Sequence, residues 1–149
     1  LNLVKRLRAG EATVLINYKD RLISPYHPKQ IFVYEGDNDI GYQWTPAEIL
    51  AQIKRLFLIL RKEKPEAEII FISIKPSVRR LKDKERIEQA NALIKEFAEQ
   101  QTNTAYADVY HPMFTAKGEL YPEHYREDGL HLTAEGYAVW KEVISRYIK

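Results

Sequence analysis

Two short, almost unbroken apolar runs constrain the fold of this 149-residue chain more than any other feature. Residues 31–34 read Ile-Phe-Val-Tyr and stop short of a glycine, and residues 69–74 read Ile-Ile-Phe-Ile-Ser-Ile and stop short of a proline. Strands that are apolar on both faces are typical of a parallel sheet covered by helices on both sides. Residues 104–109 and 3–7 predict two weaker strands.

Amphipathic stretches separate these runs and predict the covering helices. Thr45, Pro46 and Glu48 are typical of a helix start, with an N-cap residue, a proline at the first helical position and a glutamate that closes a capping box. In the last stretch, Tyr137 and Trp140 are expected to face inward. Apolar positions at helical spacing predict four helices, around residues 14–22, 46–60, 87–97 and 134–147.

This alternation of strands and helices predicts an α/β fold, and the length predicts a single domain over residues 1–149. Ligands of such sheets bind beyond the carboxyl ends of the strands, so a site is expected in the segments that follow each strand. The net charge of +2, with both signs mixed along the chain, argues against a nucleic-acid groove. The absence of cysteine excludes disulfides and thiolate chemistry, and no apolar run approaches the roughly 20 residues that span a bilayer.

The first candidate segment, residues 35–39, reads Glu-Gly-Asp-Asn-Asp and follows the first apolar run. A polar turn at the end of a buried strand fits a site, and it equally fits an ordinary turn closed by Asx hydrogen bonds. Asp37 and Asp39 also leave open a divalent cation, as in a metal-dependent phosphoesterase.

The second candidate segment pairs Asp128 with His131, three residues apart and directly before a helix that Thr133 is placed to cap. A carboxylate beside an imidazole fixes its tautomer and stabilises the imidazolium that forms when the ring takes up a proton. The alternative is an Asp-Gly turn beside a packed histidine.

Together, the two segments resemble the SGNH/GDSL hydrolases, a family named for four sequence blocks. Residues 35–39 match its Gly-x-Asn-Asp block, residues 128–131 match its Asp-x-x-His block, and residues 132–137 continue the helix start that usually follows. The resemblance extends over nearly the whole chain from about Gly10. It implies a flavodoxin-like three-layer α/β/α sandwich with a parallel sheet, and hydrolysis of small-molecule acyl esters without a metal or organic cofactor.

The resemblance also assigns roles to individual residues. His131 is the general base, Asp128 is the acid that orients it, and the side-chain amide of Asn38 donates to the oxyanion. The backbone N–H of Gly10 is the expected second oxyanion donor. The match there is loose, because the glycine-rich pattern of the family is reduced to one glycine, which fits a plain strand-to-helix turn equally well.

The family's Gly-Asp-Ser block, which carries the nucleophile, is absent from this sequence. None of the four serines lies in a nucleophile-like turn; they are Ser24, Ser73, Ser77 and Ser145. We therefore expect the chain alone to be inactive and to lack the family's central first strand, whose loss would leave an unsatisfied sheet edge. The favoured interpretation is an N-terminally incomplete acyl-ester hydrolase, and the alternative is a non-catalytic ligand-binding or assembly module that keeps the fold.

Overall fold

The computed structural model of the protein describes residues 3–6, 20 and 23–149, and in them a four-stranded parallel sheet. The strands are hydrogen bonded in chain order, and they are β1 (Leu3–Arg6), β2 (Gln30–Tyr34), β3 (Glu68–Ile72) and β4 (Thr104–Ala107). All three pairings are parallel. The strand predictions are thus confirmed, with the strands expected over residues 69–74 and 104–109 ending two residues earlier than expected.

The helices of the described residues follow the predicted pattern. Thr45 forms the full capping box with Glu48, since each side chain bonds the backbone N–H of the other residue. The predicted helix around residues 14–22 lies outside the described residues. No helix of the described part has the length and apolar character needed to cross a bilayer. The α-helices are α1 (Asp37–Gly41), α2 (Pro46–Glu63), α3 (Lys84–Glu99) and α4 (Ala134–Ser145), and 3-10 turns cover Val78–Asp83, His111–Met113 and Pro122–His124.

Two apolar clusters place helices on both faces of the sheet. One face of β2 and β3 packs on α2 and α3, through residues such as Val33, Phe71, Ile53, Leu56, Ile87 and Ile94. The other face packs on α4, through Phe32, Ile70, Ile72, Val109, Trp140 and Val143. This confirms the three-layer α/β/α sandwich. The inward position predicted for Tyr137 is wrong, because that side chain is 49% exposed while Trp140, one turn later, packs against the sheet.

Strand β2 has a hydrogen-bonded neighbour on each side in this sheet. β1 pairs directly with β2, from Leu3 opposite Ile31 to Arg6 opposite Tyr34. The backbone of β2 therefore has a strand on each side, β1 on one and β3 on the other. This arrangement meets the requirement that buried backbone N–H and C=O groups be paired.

The chain that leaves β3, residues 73–80, is fixed by buried polar contacts and is called the post-β3 segment below. The Ser73 hydroxyl accepts a hydrogen bond from the backbone N–H of Val109 at 2.9 Å. The Asn91 carboxamide accepts from the backbone N–H of Ile74 at 2.8 Å and donates to its carbonyl at 2.9 Å. These bonds hold the segment at the carboxyl edge of the sheet, where a site was predicted.

Gly36 joins β2 to α1 in a conformation that only glycine adopts easily. Its φ is +106°, and a Cβ built on it would lie 2.6 Å from Cδ1 of Ile74. The glycine of the Gly-x-Asn-Asp block is therefore required both by the backbone angle and by close packing against the post-β3 segment.

We predict that Gly36→Ala lowers the free energy of unfolding by about 3 kcal/mol, because it combines a left-handed backbone with a steric clash. Gly118→Ala is the matched control, since its φ is +78° but a Cβ would meet nothing within 4 Å. The control should lose only about 1 kcal/mol. Urea unfolding of both variants measures the difference, and equal losses would show that the contact with Ile74 is unimportant.

Candidate active site

Asp128 and His131 form one compact turn in which the carboxylate is fixed at both oxygens. Asp128 Oδ1 accepts from the backbone N–H groups of Leu130 and His131, each at 2.9 Å. Asp128 Oδ2 lies 2.5 Å from His131 Nδ1. Gly129 has a φ of +63°, which lets the chain turn tightly between them. The carboxylate accepts the Nδ1 proton, which leaves the lone pair of Nε2 for acid–base chemistry.

The same contacts determine the protonation of the acid. The hydrogen bond with His131, and after it the backbone N–H groups of Leu130 and His131, hold the pKa of Asp128 well below its usual range. The side chains are 47% exposed for His131 and 38% for Asp128. Asp128 therefore stays ionised beside an imidazole that solvent and a small ligand can reach.

The post-β3 segment holds this turn in place. The backbone N–H of Arg79 donates to the Gly129 carbonyl at 3.0 Å. The Tyr125 hydroxyl donates to the Pro76 carbonyl at 2.9 Å in a buried position. Burial raises the pKa of Tyr125, so its hydroxyl keeps the proton that it donates. The His131 turn is thus bound to the post-β3 segment by one backbone–backbone hydrogen bond and, beside it, by the Tyr125 hydroxyl.

Asn38 lies in α1, the single turn of helix that begins right after Gly36. Its backbone carbonyl accepts from the N–H of Tyr42 at 2.9 Å. Its side-chain amide is partly exposed and makes no hydrogen bond to any residue that the structure describes. Within the described part of the chain, the amide thus has no partner, as expected of a donor that would bind an oxyanion.

A buried ion-pair cluster clamps the Asn38 turn to the post-β3 segment. The Asp37 carboxylate is 3.1 Å from Lys75 Nζ and 3.0 Å from Arg80 Nε. Arg86 donates to the Ile40 carbonyl near the end of α1 at 3.2 Å. The Asn38 turn and the His131 turn are therefore both attached to residues Pro76–Arg80. The Gly-x-Asn-Asp and Asp-x-x-His blocks are thus held by the same segment.

Asp37 and Asp39, the two acids considered for a metal site, lie in different surroundings. Asp37 binds two cationic side chains, and Asp39 is fully buried. Burial raises the pKa of Asp39, and the neighbouring Glu35 side chain acts in the opposite direction. From residue 23 onward, no group of three or more His, Asp or Glu side chains is arranged to hold a metal ion.

Comparison with known proteins identifies the family. Residues 3–139 match the GDSL-like lipase/acylhydrolase family. The chain belongs to this family. No curated protein matches the chain in sequence.

Solved structures share the fold of this GDSL-like protein. A Streptococcus pneumoniae protein assigned provisionally as a platelet activating factor is 24% identical, with a TM-score of 0.79 over 91% of this chain and 67% of its own. A GDSL-like lipase from Bacteroides thetaiotaomicron is 20% identical, with a TM-score of 0.71 over 89% and 67%. A catalytic mutant of an acetylxylan esterase from Geobacillus stearothermophilus is 18% identical, with a TM-score of 0.72 over 91% and 66%. The chain thus spans about two thirds of their length.

The serines of this GDSL-like chain all lie in the described part, and none hydrogen bonds to His131. Ser24 donates to Glu63, and Ser145 donates to the Glu142 carbonyl on α4. Ser73 is buried in its bond with Val109, and Ser77 is 1% exposed. Gly10, the expected second oxyanion donor, lies outside the described residues.

A second Asp-x-x-His turn was missed in the sequence, although Asp108 and His111 have the same spacing as Asp128 and His131. Asp108 Oδ1 accepts from the N–H groups of Tyr110 and His111 at 2.9 and 3.1 Å, and Oδ2 lies 2.6 Å from His111 Nδ1. The His111 side chain is 78% exposed. The spacing alone therefore identifies two candidate bases, and the matching second turn offers an internal control.

We predict that removing the imidazole raises the pKa of Asp128 toward the ordinary value of about 3.9. The folded-state pKa lies below that of the unfolded chain, so the stabilisation is present at neutral pH and is lost as the pH falls through the lowered value. A ¹³C NMR titration of the Asp128 carboxyl in the native protein and in His131→Ala measures the change. An unchanged pKa in the variant would show that the backbone N–H groups alone are responsible.

Proposed function

We propose that this chain provides the general base, its orienting acid and an oxyanion donor for the hydrolysis of small-molecule acyl esters. The observation that carries the proposal is the 2.5 Å contact between Asp128 and His131 Nδ1, which leaves Nε2 unpaired among the described residues. Membership of a lipase/acylhydrolase family supports the reaction class. The catalytic mutant of the acetylxylan esterase has alanine in place of a serine, which supports a serine nucleophile in proteins of this fold.

In the proposed mechanism, a serine hydroxyl attacks the ester carbonyl while His131 Nε2 takes up its proton. Asp128 stabilises the resulting imidazolium, and the Asn38 amide donates to the oxygen on which negative charge develops. The proton on Nε2 then passes to the departing alkoxide, and a water molecule, activated by the same nitrogen, hydrolyses the acyl-serine. The backbone N–H of Gly10 is the proposed second donor. The nucleophile is a serine other than the four of this chain.

The second candidate is a ligand-binding or assembly module without catalytic activity. The absence of a hydrogen bond between His131 and any of the four serines favours it. Acyl-ester turnover by the full-length gene product separates the two candidates, because a binding module would show none.

We predict that His131→Ala abolishes hydrolysis of 4-nitrophenyl acetate by the full-length gene product, since the proton has no acceptor once the base is removed. His111→Ala is the matched control, because it removes an imidazole with the same Asp contact from the other turn. It should keep nearly full activity. Steady-state release of 4-nitrophenol measures the activity of both variants. Loss of activity in His111→Ala alone would show that the base lies in the His111 turn and not in the His131 turn.

We predict that Asn38→Ala lowers kcat for the same ester by about 100–1,000-fold, the usual effect of removing one oxyanion donor. The thermal unfolding temperature should stay close to that of the native protein, because the amide makes no bond within the described residues. Asn103→Ala is the control and should keep the native kcat. Asn103 lies in the turn that precedes β4, and its amide donates to the Glu66 carbonyl. An Asn38→Ala variant with native kcat would remove this residue from the mechanism.

A further inference from the structure

Arg126 makes the contacts that close the loop carrying Asp128 and His131, and the proposed mechanism does not use it. Its backbone N–H donates to the His131 carbonyl at 2.8 Å, and its carbonyl accepts from the Gly129 N–H at 2.8 Å. Its side-chain Nε donates to the Leu132 carbonyl at 3.2 Å. One residue thus bonds the loop at its tip, at the base and directly after the base.

These contacts make the loop the end of a small antiparallel hairpin. Tyr125 and Leu132 form an antiparallel bridge, and both side chains are buried. The next pair along the hairpin is Arg126 and His131, and both of these residues are exposed, as the alternation of side chains between the two faces requires. Directly opposite residues have Cβ atoms about 5 Å apart. The Arg126 side chain therefore starts beside the imidazole on the outer face of the hairpin.

The second Asp-x-x-His turn is not closed in this way. The His111 carbonyl accepts at 3.1 Å from a backbone N–H three residues later, inside a 3-10 turn. In the part of the chain that the structure describes, no side chain donates to the Pro112 carbonyl, the counterpart of that of Leu132. Since both turns share the Asp–His contact, the closure by Arg126 is a local difference in favour of His131.

We propose that Arg126 is a positioning residue for the general base, because it fixes the backbone that carries the His131 imidazole. The inference rests on the proposed acyl-ester hydrolysis. The contact with Asp128 orients the ring, but it lies within the loop and does not hold the loop itself. The bond from the Arg126 side chain to Leu132 joins the two sides of the hairpin. Position matters here, because a displacement of about 1 Å can cost about 100-fold in rate.

Position, and not charge, is the expected contribution of Arg126. The pKa of Asp128 is lowered by its hydrogen bonds with His131 and with the Leu130 N–H, to which Arg126 does not contribute. A positive charge beside an imidazole also gives no stabilisation to the imidazolium that forms when the ring takes up a proton. A variant that removes the charge elsewhere at the same turn is therefore the matched control.

The proton between His131 Nδ1 and Asp128 gives a readout that does not depend on catalysis. A short hydrogen bond to a carboxylate, 2.5 Å here, strongly deshields its proton. In ¹H NMR spectra of the full-length gene product, we expect this resonance to be lost through faster exchange with water in Arg126→Met. Arg79→Met is the control and should retain it, because Arg79 is exposed and only its backbone N–H bonds the turn. The spectrum of His131→Ala assigns the resonance.

Kinetics give the second test. Arg126→Met should lower kcat for 4-nitrophenyl acetate by about tenfold with KM unchanged, because the ester still binds while the base is misplaced. Arg126→Lys keeps a donor and should recover most of kcat, and Arg79→Met should keep all of it. Native kcat in Arg126→Met, or a loss that Arg126→Lys does not relieve, would overturn the proposal. If Arg126→Met does not fold, Arg126→Gln, whose side chain is shorter, takes its place.

The two readouts separate this inference from the proposed function. If the gene product hydrolyses no acyl ester, the proposed hydrolysis fails, and the Nδ1 proton still shows whether Arg126 holds the turn. If His131→Ala is inactive while Arg126→Met keeps both native turnover and the resonance, the positioning role fails and the hydrolysis stands. A loss of kcat with the resonance intact would also contradict the positioning role.

Discussion

The buried hydrogen bonds between Asn91 and the backbone of Ile74 are the contact on which the candidate site depends. The Ser73 N–H still donates to the Ala107 carbonyl of β4, but beyond it the chain leaves the sheet, so its backbone groups lose their strand partners while they remain buried. A buried N–H or C=O without a partner costs about 1–3 kcal/mol, and the Asn91 carboxamide supplies one partner for each. The post-β3 segment can therefore continue through the interior toward the edge where Asn38 and His131 lie.

Charge then connects this segment to the Asn38 turn. Asp37 is 4% exposed and Lys75 is also 4% exposed, so their ion pair is shielded from solvent, and Arg80 binds the second carboxylate oxygen. Removing one partner of such a pair leaves a buried charge, which typically costs about 3–5 kcal/mol. The clamp therefore gives α1 one position relative to the post-β3 segment. A donor that is held in place before the reaction needs no reorganisation when the oxyanion forms.

The sequence predicts those features that are encoded by nearby residues. The apolar runs predict β2 and β3, and the Thr45 capping box predicts the start of α2. The contacts of Asp37 with Lys75 and Arg80 join residues that are 38 and 43 positions apart, so only the tertiary fold brings them together. The exposure of Tyr137 has the same origin, because helical spacing defines an apolar stripe but not which part of it the sheet covers. The direct pairing of β1 with β2 likewise joins distant parts of the chain, so nearby residues do not encode it.

The two Asp-x-x-His turns show how far local geometry can identify a base. Their hydrogen bonds are nearly identical, so neither the spacing nor the Asp–His contact distinguishes them. The surroundings of the two turns do distinguish them. The His131 turn is bonded to Arg79, and the adjacent Arg80 holds the Asp37 carboxylate next to Asn38. The His111 turn contacts the other end of the post-β3 segment, through Val109 and Ser73, and its imidazole is more exposed. His131 is the less exposed of the two imidazoles and is attached to the same segment as Asn38, so it is the better candidate for the base.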